Sequence, residues 1–237
     1  MNKQRIIAWA NQYETPDFML NDPIQIPKRY TRKQDIEIAA FITSWLSYGN
    51  RKSLLTVLNK IDNGLFEGKP YEYIMSGKWK TVKDAELNLY RFYKWLDFYN
   101  LCDALHGIYT EYSDMEECLC TYTELTAIQA IMLRFVDVKG IPANASSACK
   151  RLNMFLRWMI RKDSPVDFGI WLRFSPADLI IPLDTHVYRI GLELGLTQRK
   201  CPDMITAIEI TNALKQIFPN DPCRGDFALY GYGVNNK

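Results

Sequence analysis

An all-α fold follows from three observations on the sequence. Apolar residues recur at three- and four-residue spacing along most of the chain. No segment alternates with the period-two pattern of a half-buried strand, and Gly, Pro, Asn and Ser cluster between the periodic stretches. Of the 237 residues, 48% are hydrophobic and 24% charged, enough apolar material for a sizeable core shared between two lobes.

The first periodic segment, Asp35–Tyr48, carries Ile36, Ile38, Ala39, Phe41, Ile42, Trp45 and Leu46. It is apolar almost all round and reads as a centrally buried helix, ended by Gly49-Asn50. A second helix runs from about Ser53, with Leu54, Val57, Leu58, Ile61 and Leu65 at helical spacing. Residues 63–81 hold three glycines and a proline and read as a loop with one irregular turn. From Lys83 to Ile108, Leu87, Phe92, Trp95, Leu96, Tyr99 and Leu105 predict one long helix with an aromatic core stripe. Further helices are expected over about 123–135, 147–160, 184–194 and 204–217, with a short last one near 226–232. The break at Lys139–Ser147 is rich in turn and capping residues. The chain is expected to form a single unit over 1–237, with lobe one at approximately 30–140 and lobe two at approximately 141–237.

The formal net charge is only +2, so any nucleic-acid site must come from local clustering of Lys and Arg. The chain opens Met1-Asn2-Lys3-Gln4-Arg5 without a secretory pattern, and no apolar run approaches the length that crosses a bilayer. A cytoplasmic location, no membrane partner and reduced cysteines are therefore expected. Cys118 and Cys120 flank a single residue, while Cys102, Cys149, Cys201 and Cys223 are scattered; small core residues are the reading for most of them. His106 and His186 are the only histidines and lack ligand spacing, so no metal or cofactor is expected and zinc hydrolysis is poorly supported.

Pro182-Leu183-Asp184-Thr185-His186-Val187-Tyr188-Arg189 is the stretch richest in chemistry. It places Asp184 at the start of a helix, where the dipole and free backbone N–H groups favour an ionised carboxylate. Such a group can stabilise the positive sugar formed when a glycosidic bond breaks. The competing role is an ordinary helix cap. On the helix from Ser147, Lys150, Arg157 and Arg161 fall within about 40° of one another, opposite Leu152, Phe155, Leu156 and Met159. Arg151 and Lys162 flank that cationic row. Within the helix no acid balances it, which predicts a phosphate-bearing partner; the competing reading is a solvated face. Lys139, Gly140, Ser146 and Ser147 precede this helix and offer backbone N–H groups to a phosphate.

These motifs have a family likeness. Pro182 to Ile190, followed by Leu194-Gly195-Leu196, resembles the catalytic segment of the helix-hairpin-helix DNA glycosylases related to endonuclease III and adenine glycosylase. Asp226-Phe227-Ala228-Leu229-Tyr230-Gly231-Tyr232-Gly233 looks like the small-residue helix that follows it there. Asp35–Asn50 resembles their buried early helix. The likeness is good over about 147–233 and loose over 35–65. Across nearly the full length, the chain also looks like a bacterial family of unknown function, carried by Cys149 to Arg161.

The resemblance implies two helical lobes around a cleft that binds damaged double-stranded DNA, with the target base rotated out of the stack. It puts Asp184 in the catalytic aspartate's place. Lys150 takes that of the lysine that attacks the sugar in members with lyase activity, its amine made more often neutral by Arg151 and partial burial. Lys150 and Asp184 are 34 positions apart, longer than in endonuclease III and similar to the archaeal 8-oxoguanine glycosylases. Arg151, Arg157, Arg161, Lys139, Gly140, Ser146 and Ser147 would hold phosphates. Trp45, Tyr48, Asn50, Trp158 and His186 are candidates for the base pocket or duplex, with core, cap or backbone-satisfied roles as the competing readings. Two departures stand out: the hairpin signature is degenerate over 139–150, and the four-cysteine iron–sulfur loop is missing. The expected function is base excision of a damaged or modified base such as an oxidised purine, with abasic-site lyase chemistry, by a monomer. A non-catalytic nucleic-acid-binding protein on the same scaffold is the alternative, and an α-helical module for an acidic protein partner is a third.

Overall fold

The computed structural model describes residues 3–81 and 85–236. It is mostly helical. In chain order the helices are α1 (Lys3–Tyr13), α2 (Lys33–Leu46), α3 (Arg51–Ile61) and α4 (Pro70–Ser76). A hairpin of β1 (Asn88–Tyr90) and β2 (Tyr93–Lys94) leads into α5 (Trp95–Glu111), α6 (Met115–Cys120) and α7 (Ala127–Arg134). The series ends with α8 (Lys150–Ile160), α9 (Thr185–Glu193), α10 (Met204–Lys215) and α11 (Arg224–Asn235). Two compact units result: a mid-chain unit, Asn21–Ala143, and a terminal unit, Met1–Leu20 together with Asn144–Lys237. The first twenty residues, which have no place in the two expected lobes, belong to the terminal unit.

In the mid-chain unit α2 is buried from Ile36 to Leu46, as its all-round apolar composition requires. Its one buried acid, Glu37, is satisfied: the Tyr109 hydroxyl and the Met115 N–H both donate to it at 3.0 Å. Asn50 caps α3 by accepting from Ser53 N–H at 3.1 Å. The expected loop over 63–81 is wrong in part. A π-helical turn, Asp62–Phe66, continues α3, and α4 follows with Pro70 at its first turn. Tyr73 and Ile74 are buried on α4, and a helix of seven residues is too short for its period to stand out in the sequence.

The long helix expected over 83–108 is also corrected. Its start at Lys83 lies outside the described residues, and 88–94 form a tight antiparallel hairpin instead. Asn88 Nδ2 donates to the Arg91 carbonyl at 2.6 Å across the turn, and Arg91 takes a left-handed φ of +53°. Leu87, Phe92 and Leu96 consequently point outward, while Tyr93, Phe98 and Tyr99 are buried. Apolar spacing alone cannot separate a short aromatic hairpin from a helical turn.

In the terminal unit, α11 packs against both α1 and α9. Its small residues permit the approach: a Cβ at Gly231 would lie 2.3 Å from Tyr13 Cγ, and one at Gly233 3.1 Å from His186 Cβ. Trp9 of α1 stacks on Tyr232, centroids 3.8 Å apart. Arg189 donates to the Gly233 and Asn236 carbonyls at 2.8 and 2.9 Å, tying α9 to the end of α11. α11 is thus longer than the short helix expected near 226–232. Among the described residues, no helix is long and apolar enough to cross a membrane.

Candidate active site

The two groups that the sequence singled out belong to the same unit and meet there. Asp184 is the N-cap of α9; its Oδ1 accepts from His186 N–H and Val187 N–H, each at 2.9 Å. Oδ2 is turned towards Lys150, the first residue of α8, whose Nζ stands 3.8 Å away. The Asp184 side chain is 11% exposed and that of Lys150 41%, so a nearly buried carboxylate faces an amine that still reaches solvent. One oxygen is held by the helix N–H groups and the other faces the lysine.

The turn that delivers Lys150 is held tightly. Cys149 is buried in the left-handed region, φ +46°, a conformation that costs a non-glycine residue about 1 kcal/mol or more. Its thiol donates to the Ser147 carbonyl at 3.2 Å, and burial raises the proton affinity of that thiol. Buried Asn153 donates from Nδ2 to the Ala148 carbonyl at 3.0 Å. Ser147 also pairs with Asp203, the cap of α10, through a single antiparallel bridge. Ser146 and Ser147 are exposed beside this turn.

The cationic row on α8 is not a phosphate-binding face. Arg157 and Arg161 are both buried, and their partners come from elsewhere in the chain. Arg157 pairs with Asp226 at 2.7 Å and Asp167 at 3.3 Å. Arg161 reaches Glu14 at 2.5 Å, Asp167 at 2.7 Å and Asp221 at 2.8 Å, with Ser164 Oγ at 3.1 Å. Burial works against its charge, but Asp221, Asp167 and Glu14 more than offset that and hold it above the ordinary arginine range. A helix wheel shows which side chains share a face; it does not show which face the tertiary structure covers. A cavity of about 650 Å³ beside this network is lined by Glu14, Arg161, Asp221 and Arg224 among others, and its lining includes neither Lys150 nor Asp184.

Asp226 is the group that sequence reasoning missed. It lies in the first turn of α11, fully enclosed; its Oδ2 takes the Arg157 bond, and its Oδ1 is buried without a hydrogen-bond partner. Burial pushes its carboxyl up to about 6, Arg157 opposes that, and the Asp184 charge adds to it. The acid itself was visible at the head of the small-residue helix; its partner lies 69 residues earlier.

The remaining candidates fall into other environments. Trp45 is core: 1% exposed, with Nε1 donating to the Lys139 carbonyl at 2.8 Å. Trp158 is likewise fully buried, so neither indole reaches a base. Tyr48 is half-buried and stacks on exposed Phe92 at 4.7 Å, and Asn50 is exposed at its cap. Lys139 is committed to the Phe92 carbonyl and Asp97 at 2.7 and 2.9 Å. Gly140 has φ +86°, and a Cβ there would run into the Tyr93 ring, so it is a packing glycine. His186 Nδ1 shares a 3.0 Å hydrogen bond with the Gly233 carbonyl, while its backbone N–H serves Asp184. Arg151 is half-buried beside Lys150. Of the six cysteines, Cys102, Cys118, Cys149 and Cys223 are buried.

A family model described as "Protein of unknown function (DUF2400)" matches residues 22–235. The chain belongs to the DUF2400 family. The matched span takes in nearly all of the mid-chain unit, the part of the terminal unit from Asn144 on to residue 235, and the whole of the Lys150–Asp184 site, but not the first twenty residues. Comparison with curated proteins and with solved structures returned no match.

Proposed function

We propose that this DUF2400 chain is a DNA base-excision glycosylase of the helix-hairpin-helix kind, with abasic-site lyase activity. One observation carries the reading: an amine at the first residue of α8 and a capped carboxylate at the head of α9, 34 positions apart, stand 3.8 Å from each other at a partly open site. The strained Cys149 turn supports it, since strain is kept where a side chain has to be placed for a task.

In this reading Asp184 stabilises positive charge at C1′ of the sugar as the bond to the base breaks and the base leaves with the electron pair. The neutral Lys150 amine adds to C1′, and breaking of the C1′–O4′ bond, with an amine proton passing to O4′, opens the sugar to a protonated imine and a C4′ hydroxyl. Loss of a C2′ proton then expels the 3′ phosphate, and water frees the lysine. Duplex contacts have to come from groups other than Arg157 and Arg161; exposed Ser146 and Ser147 and half-buried Arg151 lie nearest to Lys150 in sequence.

The test is incubation with duplexes bearing 8-oxoguanine, uracil, an alkylated base or an abasic site, with borohydride present. Hydride addition to the imine carbon leaves a stable amine linkage between protein and DNA. An adduct that forms with the wild type and is lost in Lys150→Ala is the expected result. No adduct and no base release on any of these duplexes, with DNA bound in a salt-sensitive manner, would put the protein among non-catalytic binders instead.

A further inference from the structure

The hairpin of the mid-chain unit presents a large aromatic ring to solvent, and the residues around it hold that ring in place. Phe92 lies in the turn between β1 and β2 and is 58% exposed. A hairpin that needed only to close would carry a small polar residue there. Tyr48 stacks against the ring, centroids 4.7 Å apart and planes 20° from parallel, and Tyr93 meets it at 4.9 Å, tilted by 47°. Neither contact encloses it.

The backbone under the ring is fixed on both sides. Lys139 Nζ donates to the Phe92 carbonyl at 2.7 Å. The Tyr90 hydroxyl donates to the Tyr48 carbonyl at 2.6 Å, which ties the hairpin to the chain just past α2. Arg91, the other turn residue, is held in the left-handed region that glycine enters without steric penalty. Its guanidinium lies 5.8 Å from the centre of the Tyr48 ring and fills the space over Gly49, where a Cβ would collide with it. An arginine kept in a glycine conformation, above a glycine that makes room for it, places a charge beside two stacked rings.

That charge is not cancelled locally. Glu86 and Asp97 are engaged by Lys94 and Lys139 at 2.7 and 2.9 Å. Among the described residues, neither Arg91 nor Lys52, in the first turn of α3, forms an ion pair. The exposed Leu87 and Leu96 flank the open end of the hairpin, so its tip combines aromatic faces with cations, not with aliphatic side chains. A flat ring beside uncompensated positive charge fits a ligand that is itself flat and anionic, a nucleobase with its phosphate; an apolar peptide or a bilayer would call for aliphatic surface at the tip.

We propose that Phe92, backed by Tyr48, is a stacking site for an unpaired base of DNA, with Arg91 on the adjoining phosphate. A base inside a duplex has both faces covered by its neighbours, so the ring selects a base that has lost one. The site belongs to the mid-chain unit and needs nothing from Lys150 or Asp184. It goes beyond the base-excision reading and takes from it only the choice of DNA.

The test is a titration of a single-stranded oligonucleotide carrying 2-aminopurine with the full chain, since stacking on the ring quenches the probe. Phe92→Ala is expected to weaken binding about 5- to 100-fold and to abolish the quench, while Phe92→Tyr keeps both. Arg91→Gly suits the left-handed turn, so it should leave thermal stability intact and lower the slope of log Kd against log salt by about 0.7. Binding by Phe92→Ala equal to that of wild type overturns the proposal. Full binding and quench by Phe92→Leu would mean an apolar contact in place of stacking and overturns it too. So does a wild type that leaves the probe unquenched; if that chain binds phosphatidylserine vesicles, the tip belongs to a lipid surface. The two readings fail separately. Quench without a borohydride adduct on an abasic duplex refutes base excision and leaves the stacking site, and an adduct without quench does the reverse.

Discussion

Replacing Asp184 by Asn or by Ala separates what its two oxygens do. In Asp184→Asn the side-chain oxygen still accepts from His186 N–H and Val187 N–H, and Asn caps helices as well as Asp. Its loss is the attraction to Lys150 at 3.8 Å, worth about 1 kcal/mol or less because the lysine is 41% exposed and screened. Interaction with the helix dipole adds some tenths. Asp184→Ala removes the cap as well, about 0.5–2 kcal/mol more, and leaves two N–H groups at a nearly buried helix start without acceptors. For a chain of this length each kcal/mol corresponds to about 2–4 °C in Tm. Thermal unfolding followed by circular dichroism is therefore expected to rank wild type, then Asn, then Ala, with Asn within a few degrees of wild type. Trapping and base release should be lost in both. Equal destabilisation by the two substitutions would refute the division of labour between the oxygens, and activity surviving in Asp184→Asn would refute the need for the charge.

Arg161→Met is expected to destabilise by about 3–5 kcal/mol, because it removes the cation shared by the nearly buried carboxylates of Glu14 and Asp167 and the partly exposed Asp221; a cost under 1 kcal/mol in chemical denaturation would contradict the ion network. Asp226 gives stability a pH dependence of definite sign. Its folded affinity lies at about 6 against an ordinary 3.8, so its contribution is fully present below about 4 and is lost as pH rises through about 6. Lowering the pH from about 7 to about 4 should gain on the order of 1–3 kcal/mol from this group, and urea unfolding of Asp226→Asn should lack that component. Gly231→Ala should destabilise by about 1–3 kcal/mol although alanine favours helices, since its methyl would collide with Tyr13; a raised Tm would show that the α1–α11 contact yields.

Local signals carried a good part of this fold. The α2 core, the caps at Asn50 and Asp184 and the four helices after residue 145 follow from apolar period and capping chemistry, which act within one or two turns. The failures share one cause. The hairpin at 88–94, α4 and α1 are short or ambiguous in period, and each is stabilised by partners far along the chain: Tyr13 and Trp9 lie against α11, more than two hundred residues away. The cationic row on α8 failed for the same reason, its counterions lying at 14, 167, 221 and 226.

By itself, the sequence determined a helical chain, a carboxylate at the head of one helix and a lysine at the head of another, because propensity, capping and periodicity are properties of neighbouring residues. Only the tertiary structure decided that these two groups meet, that Arg157 and Arg161 are walled in by acids, and that Asp226 is buried against Arg157. Charges interact through space, and the distance between two side chains is fixed by packing that no local pattern records.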